Sequence, residues 1–163
     1  MTVHPALVHF PVALMAASWV GETRRLWPMD HAASGQWEFF ARILLWWTLP
    51  ALALAVVSGN LEADRLAGNH DPAVVEAGDA LARHEVLGYS GAALAMLLAW
   101  WRSVRGTGMN PSEHRWYWAA LTAVLAVVLA GAWQGGRLVY GHGLGIEASV
   151  ENRPSIPLNQ HEP

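Results

Sequence analysis

Four long stretches of this chain carry no Asp, Glu, Lys or Arg: 1–21, 43–61, 86–101 and 116–136. A helix that crosses a bilayer needs about 20 mostly apolar residues at a rise of about 1.5 Å each. Three of the stretches reach that length, and the third reaches it by borrowing residues 81–85. The pattern predicts an all-α, integral membrane four-helix bundle with spans at about 5–22, 38–61, 80–103 and 115–136. These helices form one domain over residues 1–147, followed by a polar tail at 148–163. The segments 22–36, 62–79, 103–115 and 137–163 are then loops and tail.

Composition supports the pattern. Charged residues make up 14% of the chain and hydrophobic residues 53%, whereas a water-soluble domain carries about 25% charged residues. An ordinary soluble domain and a disordered chain are both excluded. The chain has no Cys, which removes disulfides, thiolate zinc sites, cysteine-ligated iron–sulfur clusters and covalent haem attachment. A bound metal must therefore use His or carboxylate ligands. A net charge of −3 and the lack of a basic stripe point to no nucleic-acid partner.

The first stretch has no basic residue ahead of it and no convincing small-residue cleavage site, so it reads as a retained helix rather than a signal peptide. Arg24, Arg25 and Arg42 flank the first loop, and Arg102, Arg105 and Arg115 the third. The second loop instead gathers Glu62, Asp64, Asp71, Glu76 and Asp79. Basic residues collect on the cytoplasmic side, so both termini are expected on the periplasmic side of a bacterial inner membrane. Local signals mark boundaries: Asp71-Pro72 before the third span, Asn110-Pro111-Ser112-Glu113 before the fourth, and Pro50 as a kink in the second. Small residues such as Gly59, Gly88, Gly91 and Gly131 suit close helix packing in lipid, and most Trp residues fall near span ends as an interfacial belt.

Histidine carries the functional signal. This topology sends His31 and His114 to inner loops, where they are expected to be solvated. It gathers His4, His9, His84 and His142 near span ends at the outer face, and ionisable groups at membrane depth point to function. Two imidazoles on facing helices are a ligand pair for b-type haem, and His9 with His84 is the expected pair. His4, Arg137 and His142 would then lie nearer water, placed for haem propionates, a second metal or a quinone head group. The alternative is a non-haem site for copper, zinc or iron built from His4, His9, His84, His142 and Glu62. A structural subunit whose histidines only hydrogen-bond across the bundle is the third reading. No nucleophile constellation or nucleotide fingerprint is present, so the chain reads as a carrier or binding protein rather than an enzyme.

His4-Pro5-Ala6-Leu7-Val8-His9-Phe10-Pro11, Gly59-Asn60-Leu61-Glu62, His84, and Gly135-Gly136-Arg137-Leu138-Val139-Tyr140-Gly141-His142-Gly143 together resemble a bacterial membrane-protein family catalogued as domain of unknown function number 2231. The resemblance runs from residue 3 to about 147 and implies four transmembrane helices in one domain. Some members occur fused to, or encoded with, cytochrome c or Rieske-type domains, which implies electron transfer with a quinone or periplasmic redox protein as partner. The matching positions here are His4, His9, Glu62, His84 and His142. Glu62 stands where the family often has Asp. A haem edge facing lipid would also favour a homo-oligomer.

Overall fold

The computed structural model describes residues 4–28, 30–68, 75 and 77–142. Among these the chain is all-α: α1 (His4–Leu7), α2 (His9–Arg24), α3 (His31–Gly68), α4 (Gly78–Arg105) and α5 (Pro111–His142). The short α1 leads directly into α2, so four long helical rods make up the bundle. α2 packs chiefly on α3 and α4 chiefly on α5, and the two hairpins meet through α3 with α4 and α2 with α5.

Local chemistry explains the breaks. Pro11 has no N–H for the Leu7 carbonyl and its ring crowds that carbonyl, so the helix is interrupted at Val8. Asp30 caps α3, its Oδ1 accepting the Ala33 N–H at 2.7 Å. Asn110 caps α5 in the same way through the Glu113 N–H at 2.9 Å, with Pro111 as the first helical residue, as the turn signal predicts. Gly106 ends α4 at a φ of +53°, a conformation that favours glycine.

The helices are longer than the uncharged stretches. α3 begins seven residues before the expected span and ends seven after it, running through Pro50 without interruption. α5 extends to His142, so the 137–142 segment, expected as the start of a tail, is helical. Charges mark where a chain leaves lipid, but the backbone keeps its hydrogen bonds beyond that point. The Asp71-Pro72 signal, His70 and His161 lie outside the described residues.

Two helices, α3 and α5, are long and apolar enough to cross a membrane by length and composition. The packing between rods is close. A Cβ on Gly21 would stand 2.9 Å from Ala41 Cβ, and Ser18 Oγ donates to the Ala41 carbonyl at 2.8 Å. Trp19 and Trp118 do not join an outward belt. They donate to Thr122 and Thr23, both at 2.8 Å, and stitch α2 to α5.

Candidate functional site

Two clusters of ionisable side chains occupy opposite ends of the bundle. At the end where α1 starts and α5 finishes, the rings of His4 and His84 stand 6.2 Å apart, centre to centre, at 78°. Each ring is docked on a neighbouring helix. His84 Nδ1 lies 3.0 Å from the Gly131 carbonyl oxygen. A carbonyl only accepts, so Nδ1 carries the proton of the neutral ring and Nε2 keeps its lone pair. His4 Nδ1 lies 2.9 Å from Ser58 Oγ, whose own hydrogen goes to the Ala55 carbonyl at 3.0 Å. Ser58 is therefore the acceptor, and His4 takes the same tautomer.

Glycine makes this docking possible. A Cβ on Gly59 would lie 3.0 Å from His4 Cε1, and one on Gly135 would lie 3.0 Å from His84 Cε1. Gly135 therefore serves as a flat surface within α5. Glu62 is close enough to His4 to act on it electrostatically. The sequence pairs His84 with His9, but the ring contact of His84 is with His4, and the His9 side chain is exposed on α2. Arg137 is exposed and packs over Trp133 at 5.2 Å. His142 ends α5, and its side chain lies outside the described residues. Among the described residues no three His, Asp or Glu side chains form a metal cage.

The opposite end holds a buried ion network. Arg102 is 1% exposed and donates to Glu22 at 3.3 Å, to Glu38 at 2.7 Å and to the Gly106 carbonyl. Arg25 spans the same two carboxylates, at 2.7 Å and 3.2 Å. His114 Nε2 donates to Glu22 at 2.8 Å, and Tyr117 lies under the Arg102 guanidinium. Two guanidiniums balance two carboxylates, so the network is neutral when His114 is neutral. His114, expected to be solvated, is thus 8% exposed and bonded to a carboxylate 92 residues away. Arg102, which reads as a topology signal, is the centre of the network. At the rim, Arg105 holds Glu113 in a two-pronged bond, and this hydrogen bonding keeps its guanidinium above the usual range.

The burial pattern inverts that of a soluble protein. Glu22, Glu38, Arg102 and His114 are inside, while Trp47, Met96, Trp100, Trp116 and Trp133 are each more than 60% exposed. Such a surface suits lipid as the solvent. A family model described as "Predicted membrane protein (DUF2231)" matches residues 1–148. The chain belongs to the DUF2231 family. No curated protein and no solved structure matches it.

Family membership and exposure together make this a membrane protein whose outer surface meets the bilayer. The match also shows where sequence reading ran short. Glu22 and Glu38 each close a charged flank that looks like a loop edge, and only the fold brings them to Arg102. The available signal was that Glu22, Arg25, Glu38 and Arg102 flank uncharged stretches whose ends the hairpin topology brings to one side.

Proposed function

We propose that this DUF2231 protein is a membrane-embedded electron carrier that binds b-type haem through His4 and His84. The four rods all cross the bilayer, both ends of the bundle's chain lie on the periplasmic side of a bacterial inner membrane, and Arg24, Arg25, Arg42, Arg102, Arg105 and Arg115 lie at the cytoplasmic end. One observation carries the reading: two imidazoles from separate helices, each held by its Nδ1, have ring centres 6.2 Å apart. A single metal with metal–nitrogen bonds of about 2 Å would fit between rings at this separation.

The roles of the chain's own residues follow. His4 and His84 supply Nε2, Ser58 and the Gly131 carbonyl fix the tautomers, and Gly59 and Gly135 leave room for the rings. Arg137 and His142, at the same end, suit the carboxylates of a haem. When bound, haem supplies one-electron chemistry; a quinone or a periplasmic redox protein is the fitting partner. A second copy of the chain would cover a haem edge facing lipid.

A second reading is a single non-haem ion of copper, zinc or iron between the same imidazoles, with Glu62 as a nearby carboxylate. The Tyr89 hydroxyl favours it, donating to Asn60 Oδ1 at 2.7 Å and tying α4 to α3 next to Gly59. A tie that holds α3 and α4 together here suits a bare ion better than a macrocycle.

Absorption spectra and elemental analysis of the untagged protein separate the readings. A Soret band with a reducible α band and one iron supports haem; stoichiometric metal without pigment supports the ion. A preparation with neither, unchanged by added hemin or metal, sinks both.

A further inference from the structure

The two clusters are related by a repeat that the sequence conceals. A shift of 80 positions carries His4 to His84 and Glu22 to Arg102. A shift of 76 carries Glu38 to His114 and Gly59 to Gly135. The same shifts map buried positions onto buried positions: Pro11 to Gly91, Met15 to Ala95 and Ser18 to Leu98 between α2 and α4, then Leu45 to Leu121, Leu52 to Val128 and Ala55 to Gly131 between α3 and α5. The four-residue difference between the shifts is taken up between the helices of each hairpin.

Contacts repeat as well as burial. Gly59 meets His4 Cε1 and Gly135 meets His84 Cε1 at the same 3.0 Å. His4 Nδ1 reaches the Ala55 carbonyl through Ser58 Oγ, and His84 Nδ1 reaches the equivalent Gly131 carbonyl directly. The Arg102–Glu38 bond of 2.7 Å has as its counterpart the Glu22–His114 bond of 2.8 Å. Under two-fold symmetry a residue touches its own counterpart only on the axis. Two such contacts are seen among the described residues: His4 with His84 at one end, and Glu22 with Arg102, 3.3 Å, at the other. Each is 18 positions from the other along its rod, so the axis runs lengthwise through the bundle, as in transporters built from parallel repeats.

We propose that the chain is two copies of one helical hairpin in tandem, and that His4 and His84 form a single site on the two-fold axis, which would take one metal centre held by one equivalent nitrogen from each half. Each half supplies an imidazole, a glycine that makes room, and a carbonyl at the same position, Ala55 through Ser58 in the first half and Gly131 directly in the second. At the other end the halves differ. The first hairpin gives Glu22, Glu38 and Arg25, and the second gives Arg102 and His114; a hairpin meeting its own copy would set Glu22 against Glu22 or Arg102 against Arg102, so the cis pairing is specified.

The identity of the occupant rests on the function proposed above; the repeat does not. The test uses the full chain in detergent micelles with hemin and, separately, cupric ion as probes. One probe should bind per chain, with binding lost in both His4→Ala and His84→Ala. Gly59→Ala and Gly135→Ala should each weaken it tenfold or more, within about threefold of one another. Two probes per chain, or dependence on only one histidine, overturns the two-fold site. If neither probe binds the wild type, the function proposal fails and the melting temperatures of the glycine variants judge the repeat. Matched losses in both, up to failure to fold, uphold it, and a loss confined to one overturns it.

Discussion

Arg102 shows what one side chain does in this bundle. Its guanidinium satisfies two carboxylates from different helices at 1% exposure. Removing one partner of a buried ion pair costs about 3–5 kcal/mol, because the other charge stays buried without compensation. Arg102→Leu is therefore expected to destabilise the protein by about that amount in thermal unfolding in micelles, more than Glu22→Gln or Glu38→Gln alone. Arg105→Ala, which breaks an exposed pair with Glu113, should leave the melting temperature nearly unchanged. The network escaped the sequence because its members are distant: Asn110-Pro111-Ser112-Glu113-His114 reads correctly as a turn and cap, yet nothing local shows that His114 faces Glu22. That His4 and His84 lie at one end was legible, since the topology starts their two helices on the same face. Which two meet was not, because the choice depends on Ser58 and Gly131 as docking points on other helices.

Between elements, glycines decide how near two helices come. Gly21 faces Ala41 with no room for a Cβ, whereas Gly35 has open space around it. Gly21→Ala is expected to cost about 1–3 kcal/mol by parting α2 from α3, and Gly35→Ala to gain up to about 1 kcal/mol from helix propensity. Calorimetry or circular-dichroism melting of the two variants checks the contrast, and equal effects would mean that α2 and α3 do not cross there. Helix number and order were legible because uncharged runs must be buried in lipid or core. Helix ends were not, because a helix such as α3 continues past Arg42 and Glu62 where its charges can reach water or one another. The hairpin repeat was hidden for a related reason: counterparts preserve burial rather than identity, and Glu22 and Arg102 even reverse sign.

For the whole molecule, polarity inside and aromatic surface outside suit a bilayer, and the proposed function adds a direction of crossing. The absence of native Cys allows single-cysteine reporters to map it. Cysteine at Gly108, in the α4–α5 loop, should react with a membrane-impermeant maleimide only from the cytoplasmic side, and cysteine at Tyr140 only from the periplasmic side. Labelling of both from one side would reverse the proposed crossings. The central claim concerns the imidazole pair, and hemin titration of the purified wild type beside His4→Ala, His84→Ala and His9→Ala tests it most directly. The account predicts a low-spin, two-histidine spectrum at one haem per chain for the wild type and His9→Ala, and its loss in both other variants. A wild type that binds no hemin, or a spectrum that survives His4→Ala and disappears in His9→Ala, would contradict it.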